Sequence, residues 1–207
     1  MKNISKKKKA KQIKNFAAKT NELRKFQFIN ITLSIAALFL MFVSFGYIHN
    51  TNMNNGAGGT EVSFNGFNLL FAAFSGNYKN PSFGDLAIPF NYYATNWVKA
   101  LGILIFFPFF AILINVGINI YGLIKNKQGI ALYSIILNGI IFGFFLAIFI
   151  VSLSMKDSNI LPIYCSNNKA CSIKSLAIIP SITGFIGLGI ALFNYIKYRE
   201  AKKDLLA

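Results

Sequence analysis

ALGILIFFPFFAILINVGINIYGLI, residues 100–124, is followed by KNKQG, residues 125–129, and then by IALYSIILNGIIFGFFLAIFIVSLS, residues 130–154. Neither flanking segment contains Asp, Glu, Lys, Arg or His, and each is 25 residues long. At about 1.5 Å per residue, either one as a helix exceeds the roughly 30 Å hydrocarbon core of a bilayer. Lipid offers the backbone no hydrogen bonds, so a span of this kind must satisfy its own N–H and C=O groups by being helical. The stretch therefore reads as a transmembrane helical hairpin with a short basic turn.

Composition agrees. The 207 residues are 55% hydrophobic and 13% charged, against about 25% charged in an ordinary soluble domain. Two further apolar runs, Phe28–Ile48 and Leu176–Ile196, bring the expected spans to four. The expected fold class is an all-α membrane protein, a four-transmembrane-helix bundle with a folded extracellular first loop. The expected division is a basic tail over 1–27, spans at 28–48, 100–124, 130–154 and 176–196, outer loops at 49–99 and 155–175, an inner turn at 125–129, and a tail at 197–207. A secretory signal competes for the first apolar run, with Ser44-Phe45-Gly46 as a small-x-small site; the long basic region and long apolar run favour a retained span.

Charge sets the orientation. Sixteen Lys and Arg fall in the two tails and the inner turn, and five in the outer loops. The excess of positive charge places both termini in the cytoplasm, in a multi-pass protein of the plasma membrane. The net charge of +15 is explained by orientation and by anionic lipid before nucleic acid. The densest cluster, Lys6-Lys7-Lys8-Lys9, is the expected anionic-lipid contact. From Lys11 onward, Ile13, Phe16, Ala17, Thr20 and Leu23 recur at helical spacing, so the tail reads either as a helix lying on the membrane surface or as a frayed topology signal. The bias toward Lys, Asn, Ile and Phe suggests an AT-rich genome and a bacterial source.

The first outer loop is apolar and opens on a turn-rich Asn/Gly stretch. Val62 and Phe64 alternate with polar residues and suit a strand; Leu69–Phe74 suits a strand or a short helix against the membrane, so a small hairpin is one expected form of the loop. Phe90, Tyr92, Tyr93 and Trp97 mark an interfacial aromatic belt. Pro108 is expected to kink the second span.

Chemistry is sparse. All six acids lie outside the spans and the chain has one histidine, His49, at a span end. Pumps, proton-coupled carriers and intramembrane proteases place ionisable groups within the membrane, so no catalytic residue, metal ligand or cofactor site is expected. Cys165 and Cys171, six residues apart in the second outer loop, are either a structural disulfide or two free thiols; no Cys-x-x-Cys spacing supports a redox pair. Small residues repeat every four positions at Gly139, Gly143 and Ala147, and again at Thr183, Gly187 and Ala191, as helix-packing stripes. Asn115, Asn119 and Asn138 are either interhelical hydrogen-bonding groups or the lining of a polar groove.

Internal termini, a long first outer loop, a short inner turn and a smaller second outer loop resemble the layout of claudin-like four-span membrane proteins. The nearest match to that family's first-loop signature is Asn65-Gly66-Phe67-Asn68-Leu69-Leu70-Phe71, which lacks its Trp and Cys residues. The resemblance covers topology across the chain and carries over no pore or adhesion residues. The expected function is a non-enzymatic membrane protein acting by protein–protein contact, on itself or on other membrane proteins, as a scaffold, accessory subunit or surface interaction protein. The alternative is a channel or transporter subunit using the Asn groove.

Overall fold

The buried residues of the four long helices recur at alternating three- and four-residue steps, and this seam assembles the bundle. The computed structural model describes residues 2–42, 44–50, 60–75, 77–78, 92–93, 96–154, 172–175 and 177–206. Its helices are α1 Lys2–Glu22, α2 Arg24–Leu40, α3 Gly66–Ser75, α4 Asn96–Lys125, α5 Ala131–Ser154 and α6 Ile178–Leu206. Four stretches are long and apolar enough to cross a membrane: Gln12–Leu40, Ala100–Lys125, Gln128–Leu153 and Ile178–Leu205. The described chain is thus nearly all helical.

On α2 the buried positions are Gln27, Asn30, Ser34 and Ala37, continuing to Met41. On α4 they include Leu101, Ile105, Ile112, Asn115 and Asn119; on α5, Ser134, Asn138, Ile141, Phe145, Ile148 and Ser152. On α6, Pro180, Gly184, Gly187, Ala191 and Asn194 follow the same rhythm. A repeat of 3.5 residues keeps one seam facing its neighbours along the whole helix, as in coiled coils and most four-helix bundles. The helices close into a ring in which α2 and α5 each pack on both α4 and α6.

The arrangement is inverted relative to a water-soluble bundle. Asn, Ser and Gln occupy much of the seam, while Phe28, Phe39, Phe110, Ile124, Ile150 and Phe185 point outward and are exposed. In water an outer face of this kind would be a large apolar patch; against lipid it is the favourable one.

The first span differs from the expected Phe28–Ile48. Helix α2 stops at Leu40, and Ser44–Asn50 is a strand, β1. Gly46 weakens a helix by about 1 kcal/mol, and Phe45, Tyr47 and Ile48 favour extended backbone. Length for the span comes instead from the N-terminal side, where α1 runs into α2 with only a local irregularity at Leu23, whose backbone stays helical at φ −73° and ψ −15°. Helix α1 therefore occupies most of the basic tail and packs on α6: the Phe16 and Tyr198 rings are 6.5 Å apart and Lys19 meets Asp204 at 2.7 Å.

Strand β1 pairs antiparallel with β2, Thr60–Asn65, and with β5, Ser172–Ser175. Strand β2 carries the expected Val62 and Phe64, but its partner β1 lies in a segment expected to end the first span rather than within the first loop. Short strands β3, Asn77–Tyr78, and β4, Tyr92–Tyr93, pair with each other. Helix α3 docks on α4. Its Gly66 N–H donates to Met41 O at 2.9 Å, and Phe67 sits between Phe42 and Phe109, at centroid distances of 4.1 and 5.9 Å.

Helix α4 runs through Pro108 as one helix. It ends where Asn126 takes a left-handed φ of 51° and the Lys127 N–H reaches back to Gly122 O at 2.9 Å. That six-to-one bond is the Schellman closure of a helix, and Asn is the residue besides Gly that adopts it most readily. A single 3-10 turn, Gln128–Ile130, then starts the return.

Candidate functional site

The polar half of the seam gathers into one knot. Asn115 Nδ2 donates to Ser34 Oγ at 2.9 Å and to Asn138 Oδ1 at 3.3 Å. Asn138 Nδ2 donates across the bundle to Asn30 Oδ1 at 3.2 Å, and to Ser134 O at 2.8 Å. Asn119 Nδ2 donates to Ser134 Oγ at 2.8 Å and to Asn115 Oδ1 at 2.9 Å. Three helices, α2, α4 and α5, are joined by these amides, and all six residues are buried. Helix α6 contributes a space rather than a bond: a Cβ at Gly187 would lie 2.5 Å from Asn138 Oδ1. In this conformation the three asparagines are buried and bonded to one another. Each interhelical bond of this kind contributes about 0.6 kcal/mol in a membrane, up to about 2.

The two small-residue stripes part company. On α6, a Cβ at Gly184 would lie 2.7 Å from Phe142 N, and the Ser181 hydroxyl donates to Phe142 O at 3.1 Å. Here the α6 and α5 backbones touch, Gly187 lies against Asn138 in the same interface, and Ala191 is buried one turn further on. Thr183 lies off the seam and spends its hydroxyl on Pro180 O within its own helix, at 2.7 Å. On α5, Gly139 and Gly143 meet nothing within 4 Å of a built Cβ. They lie with Ala147 in a groove of about 390 Å³ bordered by Leu104, Ile136, Ile140 and Phe144. This stripe is off the seam, and among the described residues only the rim of the groove, Leu104 of α4 included, borders it.

Residues the sequence reading passed over extend the polar system toward the 125–130 turn. Gln27 Nε2 donates to Lys127 O at 3.0 Å, and Arg24 Nη2 reaches Leu123 O at 3.3 Å, so the start of α2 caps the end of α4. Gln27 Oε1, both carboxamide atoms of Gln128, and Asn194 Oδ1 are buried without a hydrogen-bond partner among the described residues. Phe26 and Phe193 stack edge to face at 5.3 Å, which sets the neighbouring Gln27 and Asn194 at one level. The signal for Gln27, Ser134 and Ser181 is their spacing: Gln27, Asn30 and Ser34 fall at three and four residues, Ser134 precedes Asn138 by four, and Ser181 precedes Gly184 by three.

Other expected sites stand apart from the knot. Cys165 and Cys171 lie outside the described residues. Lys6, Lys7, Lys8 and Lys9 are on α1, and His49 is on β1; their side chains are likewise not described. Among the described residues, no three His, Cys, Asp or Glu side chains gather into a metal-binding group. No family model, no curated protein and no solved structure matches the chain.

Proposed function

We propose that the chain is a non-enzymatic multi-pass membrane protein that acts by contact, with a second copy or with another membrane protein. Both termini and the 125–129 turn face the cytoplasm in this reading, in the plasma membrane, and the segments 49–99 and 155–175 face outward. The carrying observation is the open Gly139–Gly143–Ala147 groove on α5. Small residues at four-residue spacing let a second helix approach closely, which is how membrane helices gain packing energy without a hydrophobic drive between them.

Crosslinking in native membranes tests the reading. The expected result is a discrete higher-mass species that disappears in Gly139→Ile with Gly143→Ile, while the purified monomer still folds, because a Cβ at either position meets no neighbour among the described residues. A chain that remains strictly monomeric and partnerless would remove the proposal.

A second reading, a channel or transporter subunit, draws on the convergence of Asn115, Asn119 and Asn138 where three helices meet. Purified protein in liposomes should then support a solute flux that falls with Asn115→Leu plus Asn119→Leu. Absence of flux under any imposed gradient rejects it.

A further inference from the structure

A second cavity lies at the end of the bundle that carries the 125–130 turn, away from the α5 groove. It is a cleft of about 540 Å³ walled by Phe16 and Thr20 of α1, Lys127 and Gln128 of the turn, Tyr133 of α5 and Tyr198 of α6. A turn of a few residues between two spanning helices must sit at a bilayer surface, at the depth of lipid headgroups. The walls match that depth, since Tyr and Phe rings favour the interface with the ring buried and the polar tip wet.

Two features of the wall point to a ligand. Gln128 is 2% exposed, yet neither its Nε2 nor its Oε1 has a hydrogen-bond partner among the described residues. A buried carboxamide left in that state is costly, and a ligand offering both an acceptor and a donor relieves it. Beside it, Lys127 Nζ has, among the described residues, a long contact of 3.4 Å to the Tyr121 hydroxyl, with the Tyr121 ring 5.6 Å below. No acidic side chain is among the described residues that wall the cleft. An exposed lysine so weakly held can swing to an anion.

We infer that this cleft seats one anionic phospholipid headgroup that also carries a hydroxyl. The phosphodiester accepts from Lys127 and from the Gln128 N–H, a headgroup hydroxyl donates to Gln128 Oε1, and the Phe16, Tyr133 and Tyr198 rings hold the glycerol and first methylenes. The inference goes beyond the contact role and does not use the α5 groove, so the two stand or fall separately.

The test uses the full-length chain in nanodiscs of phosphatidylcholine containing a few per cent phosphatidylglycerol, with retained lipid counted by native mass spectrometry. One phosphatidylglycerol per chain should persist in the unmodified protein and in Lys202→Gln, which removes an exposed charge elsewhere on the polar tail. Lys127→Gln and Gln128→Leu should each weaken retention about tenfold. Lys127→Gln alters an exposed side chain, so it reports on the site even if Gln128→Leu disturbs folding. Equal retention in Lys127→Gln, equal retention of phosphatidylcholine, or displacement of the bound lipid by inorganic phosphate would each overturn the assignment; the last would give the cleft to a soluble anion.

Discussion

Gly184→Ala is expected to lower the stability of the bundle by roughly 3 kcal/mol, or about 6–12 °C in the thermal midpoint for a chain of this size. The added methyl would sit 2.7 Å from Phe142 N, 2.9 Å from Ile141 Cγ2 and 3.0 Å from Phe142 Cα. Two of those three atoms are backbone, so no side-chain rotation relieves the overlap. The α5 and α6 axes must separate, and separation also breaks the Ser181 hydroxyl bond to Phe142 O. Gly143→Ala is the matched control, because its methyl enters open space. It removes a glycine from a helix interior, and the monomer should gain up to about 1 kcal/mol. Thermal unfolding of both variants in one detergent measures the contrast. If Gly184→Ala melts with the unmodified protein, α5 and α6 do not meet through their backbones.

The same two glycines mark how far the sequence could be read. The spans at 100–154 were legible because a bilayer imposes one length and one polarity on every residue within them. Which stripe turns inward was not legible from small-residue spacing alone, since Gly139–Gly143–Ala147 and Thr183–Gly187–Ala191 look alike. The deciding signal was the seven-residue seam: Asn138, Ile141, Phe145 and Ile148 share it on α5, as Gly184, Gly187, Ala191 and Asn194 do on α6. Gly139, Gly143 and Thr183 fall outside it. The end of the first span was missed for a different reason. Phe45, Tyr47 and Ile48 are as apolar as any helix face, and hydropathy does not distinguish a membrane helix from a strand. Of the polar knot, the asparagines were visible as single polar residues in apolar runs. Ser34 was visible with Asn30 and Thr32 as a polar group able to reach a neighbouring helix; Ser134 was not, because a serine in a membrane helix more often bonds its own backbone.

Asn138→Leu should cost about 2–4 kcal/mol, and the reason separates structural hydrogen bonding from a solute path. Leucine keeps the branched outline of asparagine, so the change bears mainly on the hydrogen bonds. Asn138 gives up its donation to Asn30 Oδ1 and its acceptance from Asn115 Nδ2, at about 0.6 kcal/mol or more each. Asn115 keeps Ser34 Oγ at 2.9 Å, but the buried Asn30 carbonyl is stranded, which adds about 1–3 kcal/mol. Asn30→Leu frees one hydrogen of the Asn138 amide, whose nitrogen keeps its bond to Ser134 O at 2.8 Å. The double variant leaves neither partner behind, so its loss should be smaller than the sum of the single losses by about 1 kcal/mol, the coupling expected of residues in direct contact. Thermal unfolding of the four proteins completes the cycle. Strict additivity would mean that the two amides do not bond across the bundle. A pair that leaves stability untouched but abolishes a liposome flux would move the asparagines from holding the helices together to lining a path between them, and the channel reading would then displace the contact reading.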